Sequence, residues 1–229
     1  MAADGGAIVV YLGTYTRGES TSEGIYSCAF DTDSGSLSPL KLAARVENPS
    51  FLALHPTRPY LYATNELSER EDDRPAGGLS AFVADGDGGL TFLNRQPSHG
   101  TSPAYVCVEA TGRYALVANY GTGNLAMLPI RSDGSLGPAS DVVQHEGSSV
   151  HPQRQRGPHA HSVIVDPRNR FALAADLGLD KVLVYRMDLE GGTLEPYDPP
   201  WATVAPGQGP RHLTFHPDGC YLYLINEIG

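Results

Sequence analysis

The sequence predicts an all-β chain folded as a β-propeller of four-stranded antiparallel blades, and three observations predict it. Four segments align without gaps. Aromatic residues mark the same place in each, Tyr60, Tyr114, Phe171 and Tyr221, at spacings of 54, 57 and 50. The runs around them are short and rich in Val, Leu, Tyr and Phe, with no competing helical period.

The elements follow in order. Each segment holds two apolar runs joined by a turn: "NPSFLALHPTRPYLYATNE" from Asn48, "SPAYVCVEATGRYALVANY" from Ser102, "HAHSVIVDPRNRFALAADL" from His159 and "GPRHLTFHPDGCYLYLINE" from Gly209. Three of the turns carry Pro at one position, Pro56, Pro167 and Pro217. Five residues after each aromatic comes Asn65, Asn119, Asp176 or Asn226. A third strand-like run belongs to each unit, "GIYSCAF", "GGLSAFVA", "GNLAMLPI" or "KVLVYRM". The turn after it mixes Asp and Gly, residues that tolerate positive φ and bond to the local backbone. A more polar fourth run closes each unit and belongs on the outside of a blade, while the first run lines the central channel.

Rival architectures fit less well. The period is too long for WD40 repeats and no Trp-Asp pair occurs. A kelch array would repeat an aromatic pair after Gly-Gly, and the chain has one tryptophan, Trp201. A β-sandwich would not require a common frame at these spacings. The chain starts on "AIVVYLGTYT", which matches the second strand of a unit, and stops at "YLYLINEIG", again in a second strand. The frame therefore predicts a truncated propeller of about four and a half blades, a single domain over residues 1–229.

Bulk properties narrow the function. A net charge of −10 argues against nucleic-acid binding, which needs a basic face. The longest early apolar run, "AIVVYL", is too short for a signal core or a membrane span. Cys28, Cys107 and Cys220 are widely spaced and read as packed small hydrophobes, which suits a reducing, cytoplasmic setting. The sequence assigns no oligomeric state.

Comparing the repeats isolates positions the scaffold does not need. Just before the first strand stand Ser50, Ala104, His161 and Arg211. After the Asn/Asp stand Glu66, Tyr120, Leu177 and Glu227. Both slots belong at the channel mouth. There His161, Arg211 and Glu227 are candidate catalytic groups, and Glu66, Tyr120 and His212 candidate substrate contacts. The plainer readings are a solvated strand cap and a structural ion pair. The loop "QHEGSSVHPQRQRGPHAH" concentrates His145, His151, His159, His161, Arg154 and Arg156 in an otherwise acidic chain. Its arginines could hold a phosphate or carboxylate. His159 and His161 could instead share a metal, but no Cys or Asp spacing supports it, and the loop could be a plain solvated insertion.

Taken together, "YLGTYT", "HPTRPYLYATNE", "ANYGTGNLAMLPI", "PQRQRGPHAHSVIVDP", "AADLGLDKVLVYR" and "GPRHLTFHPDGCYLYLINE" resemble the seven-bladed propeller lactonase family. That family includes propeller-type 6-phosphogluconolactonases and carboxy-cis,cis-muconate cyclases. The resemblance implies a site without metal or cofactor, built from His, Arg and Glu, onto which His161, Arg211 and Glu227 map. It implies a small anionic sugar-lactone substrate and hydrolysis of 6-phosphogluconolactone, a step of the pentose phosphate pathway. In that reading His159, Arg154 and Arg156 assist phosphate binding, and either His161 or Glu227 is the base. A muconate-lactonising cyclase and a non-enzymatic binding propeller are the alternatives. Family members are longer by roughly two blades, so further site arginines would lie beyond Gly229.

Overall fold

The computed structural model describes residues 6–68, 70–71 and 74–229. Its architecture is a row of antiparallel sheets with no helix among the described residues, a partial β-propeller. The first sheet holds β1 (Ala7–Leu12), β2 (Gly24–Asp31) and β3 (Lys41–Arg45). The second holds β4 (Leu52–Leu54), β5 (Tyr60–Asn65), β8 (Gly78–Ala84) and β9 (Leu90–Pro97), with a small hairpin, β6 (Arg70–Glu71) and β7 (Arg74–Pro75), inserted between β5 and β8. The third comprises β10 (Pro103–Val108), β11 (Tyr114–Asn119), β12 (Asn124–Pro129) and β13 (Asp141–Gln144). The fourth comprises β14 (Ala160–Val165), β15 (Phe171–Asp176), β16 (Lys181–Asp188) and β17 (Thr193–Thr203). The last pairs β18 (Pro210–Phe215) with β19 (Leu222–Asn226). The repeat frame and the strand order inside each unit are as the sequence predicts.

Alternation sets the packing. Small and branched residues of the second strands, such as Ala63, Ala118 and Ala174, are fully buried and let neighbouring sheets approach face to face. Leu116, Leu125, Met127, Val163 and Tyr185 fill the space between the third and fourth sheets. Tyr62, Leu79, Val106, Val117 and Leu136 fill that between the second and third. The first strands β4, β10, β14 and β18 run side by side, so a residue at one position in each is carried to one wall.

The Asn/Asp position is a tie between sheets. Asn65 Nδ2 donates to Glu47 O at 2.9 Å, and Asn119 Nδ2 to Ser98 O at 2.9 Å, both in the loop arriving from the previous sheet. Asp176 fills the same place and bonds at 2.6 Å to His145 Nδ1, both side chains fully buried. The cysteines differ from expectation at one position. Cys28 is packed in β2 and Cys107 lies partly buried in β10, but Cys220 is exposed. It sits in the β18–β19 turn, where its N–H caps the Asp218 carboxylate and no neighbouring sheet covers the side chain.

Candidate active site

Sequence reasoning puts Ser50, Ala104, His161 and Arg211 ahead of the first strand. The structure corrects this: three of them lie inside it, each as the extra residue of a β-bulge. Pairing jumps from Pro103↔Asn119 to Tyr105↔Ala118, from Ala160↔Asp176 to Ser162↔Ala175, and from Pro210↔Asn226 to His212↔Ile225. The skipped residues are Ala104, His161 and Arg211. A bulge disrupts the local ladder and re-aims the side chain of its extra residue.

The second slot is held opposite by one recurring hydrogen bond. Glu66 N donates to Asn48 O at 3.0 Å, Tyr120 N to Ser102 O at 2.9 Å, Leu177 N to His159 O at 2.9 Å and Glu227 N to Gly209 O at 2.8 Å. The accepting residue always stands two before the bulge position. It is left-handed in three units, at Asn48 (φ 41°), Ser102 (φ 49°) and Gly209 (φ 65°). That bend explains the Gly-Pro of "GPRH": a Cβ on Gly209 would lie 2.8 Å from Ile228 in a backbone conformation L side chains rarely adopt.

The slots converge on one cleft of about 440 Å³. All four bulge-slot residues line it, with Glu66, Tyr120 and Glu227 from the second slot. Leu177 is buried away from it. Phe51 and His212 complete the floor, and Tyr15 closes one side. The floor is aromatic: Phe51 stacks on Tyr105 at 4.0 Å, and His212 stands edge-on to Tyr105 at 5.5 Å and to His161 at 5.2 Å.

Glu227 is the hub. Its Oε2 accepts from Arg211 Nη1 at 2.6 Å and faces His161 Nε2 at 3.5 Å. Its Oε1 accepts from Arg154 Nη2, which also reaches Tyr120 Oη at 3.1 Å. Burial alone would raise the Glu227 pKa, but the Arg154 bond and the two guanidinium charges outweigh it and hold the carboxyl below its usual range. His161 moves the same way for another reason. Burial, then the nearby Arg211 charge and His212, press its pKa down to about 4. At neutral pH the ring is therefore uncharged beside a carboxylate already held by two arginines. His212 is also lowered, by burial and then by Arg211.

The remaining sequence candidates divide. His159 does not line the cleft, but its ring stacks on Tyr120 at 4.7 Å while its Nδ1 bonds Tyr120 O at 2.9 Å. Those contacts turn its Nδ1 away from a metal shared with His161. Among the described residues, no three His, Cys, Asp or Glu side chains converge as metal ligands would. Arg154 joins the site through Glu227. Arg156 does not, contrary to expectation: its side chain is exposed and folds back so that Nε donates to Pro152 O at 2.5 Å. The loop bearing Arg154 is pinned by Asp180, whose Oδ2 accepts from Ser149 Oγ at 2.5 Å and Gly207 N at 2.7 Å, and whose Oδ1 accepts from Gly209 N at 2.8 Å. Sequence comparison missed Asp180 and Tyr15, because both lie outside the four aligned segments.

Comparison with known proteins fits this geometry. A family model described as "Lactonase, 7-bladed beta-propeller" matches residues 9–229. The chain belongs to that family. A 6-phosphogluconolactonase of Bacillus subtilis is 39% identical over 95% of the chain and 59% of its own length. A solved putative 6-phosphogluconolactonase of Bacteroides fragilis superposes at a TM-score of 0.90, with 36% identity, over 100% of this chain and 64% of that one. A periplasmic gluconolactonase of Pseudomonas aeruginosa gives 0.88 and 38% identity, over 96% of this chain and 61% of that one. This lactonase-family chain thus spans 59% of the length of the Bacillus relative.

Proposed function

We propose that the chain hydrolyses a sugar-acid lactone, and that 6-phosphogluconolactone is its substrate. The observation that carries the proposal is the convergence of His161, Arg211 and Glu227 from two repeat slots onto one cleft. Relatives named 6-phosphogluconolactonases support the substrate. A single propeller domain over residues 1–229 and a cytoplasmic setting complete the reading, in keeping with three cysteines that form no disulfide.

The roles follow from the electrostatics. Glu227 has both carboxylate oxygens engaged, so it orients rather than takes a proton. His161 is uncharged at neutral pH and keeps Nε2 toward the cleft, so it is the base. It takes a proton from water as the water oxygen bonds to the lactone carbonyl carbon. The imidazolium formed at Nε2 then faces the Glu227 carboxylate, whose charge stabilises it. The ring C–O bond breaks as His161 returns the proton to the ring oxygen, leaving a hydroxyl and a carboxylic acid, which ionises to the carboxylate and releases its remaining proton to solvent. Arg211 spends one donor on Glu227, and its other N–H groups can meet the developing oxyanion.

Losing one such donor typically costs ~3 kcal/mol in the barrier. Arg211→Ala should therefore lower turnover of 6-phosphogluconolactone at least roughly tenfold. An acid-release assay on the wild-type and variant chains checks this, and an unchanged rate removes Arg211 from the mechanism.

A further inference from the structure

The cleft holds a second carboxylate in a different setting. Glu66 occupies the same slot as Glu227, yet among the described residues no cation pairs with it. Its Oε2 accepts one hydrogen bond, from Tyr15 Oη at 3.0 Å, and its Oε1 accepts none. Both side chains line the cleft. Their backbone is set by a single buried residue, Asn48. Asn48 Oδ1 accepts from Thr16 N at 2.8 Å, next to Tyr15, while Asn48 Nδ2 donates to Glu66 O at 3.0 Å. Asn48 N also donates to Thr16 Oγ1 at 3.0 Å. Three chain segments thus meet at one amide, and the Glu66–Tyr15 pair is preset rather than left to chance.

We propose that Glu66 and Tyr15 form a hydroxyl-recognising subsite that selects polyhydroxylated lactones. An ionised carboxylate is an acceptor only, and sugar hydroxyls are donors. Two neighbouring hydroxyls can place their hydrogens on the two Glu66 oxygens, and Tyr15 Oη can accept or donate at the rim. The same carboxylate repels a substrate's anionic group, which is drawn instead to the Arg154 and Arg211 guanidinium groups that hold Glu227. The cleft is therefore polarised, and a ligand with hydroxyls at one end and an anion at the other binds in one orientation. This rests on the lactonase reading for the chemistry, but the binding claim can be tested separately.

The test compares Glu66→Gln and Tyr15→Phe with wild type in two measurements. Titration with D-gluconate, an open-chain polyol acid, is followed by calorimetry. Hydrolysis is followed on glucono-δ-lactone and on δ-valerolactone, which has no hydroxyls. The subsite predicts that Glu66→Gln weakens gluconate binding roughly tenfold and raises the KM for glucono-δ-lactone by about as much, well beyond any change on δ-valerolactone. Tyr15→Phe moves the same quantities less. Gluconate binding that depends on Glu66 in a chain that hydrolyses neither lactone would uphold the subsite and sink the hydrolytic reading. Equal losses on both lactones, gluconate affinity within about twofold of wild type in both variants, or no gluconate binding by wild type would overturn the subsite.

Discussion

At the scale of a residue, the proposed mechanism turns on the pKa of His161. Burial contributes most to its lowering, and the Arg211 charge comes next. A base works only in its uncharged form, so kcat/KM should fall on the acid side with an apparent pKa of about 4. Arg211→Ala removes a cation that lowers this value, so the acid limb should move up toward the ordinary histidine range as the plateau drops. Arg211→Lys keeps the charge but loses the planar fork. It should leave the limb low while still reducing turnover. A pH–rate profile of the three proteins decides. An acid limb that stays put in Arg211→Ala would show that Arg211 does not set the base.

At the scale of an element, the bulged first strands aim the chemistry and the loops between sheets hold it. Asp180 ties two of those loops, the one that carries Arg154 and the one that leads to Arg211. Burial would raise its pKa, but the hydrogen bonds from Ser149, Gly209 and Gly207 keep it low. Asp180→Ala leaves the buried Gly209 N–H and the partly buried Gly207 N–H unpaired, at a cost of about 1–3 kcal/mol. It should lower the melting temperature and raise KM more than it lowers kcat, because the arginines lose their spacing while His161 keeps its bulge. Asp180→Asn retains one acceptor oxygen and should recover part of the KM. A lower melting temperature with an unchanged KM would limit Asp180 to stability. The same scale shows what the sequence made legible. The two slots were readable because four copies of one hairpin exist and only some carry large polar groups. That comparison picks out His161, Arg211, Glu66, Tyr120 and Glu227 without knowing that a bulge aims the first two. Arg156 was misjudged because the composition of a loop does not say which way a side chain folds; its guanidinium bonds its own loop. Asp180 and Tyr15 lie outside the four aligned segments, so that comparison did not reach them.

At the scale of the molecule, acid should weaken the fold as well as the site. His161, His212 and His55 all have lowered pKa values, with burial as the largest cause in each. A histidine that is harder to protonate folded than unfolded leaves the unfolded chain binding more protons, so stability rises with pH through that window. For His161 the contribution is fully present above the unfolded value of 6.5 and is lost progressively as pH falls to about 4. Its side chain is only 11% exposed, so little solvent screening applies, and a shift of this size corresponds to about 3 kcal/mol. Glu109, Asp180 and Glu227 have lowered carboxyl pKa values, and their contributions disappear as pH falls below the ordinary carboxylate range. The losses therefore follow one another, the histidines first. Urea unfolding at pH 7.5, 6, 5 and 4 should show stability falling steadily, with His161→Asn flattening the upper part of that slope. The variant cannot take up the proton that the unfolded wild type gains, so it loses less on acidification even if it starts less stable. A wild-type curve that stays level from pH 6.5 to 4, or a variant with the same slope, would mean that His161 is not held neutral by its burial in the cleft wall.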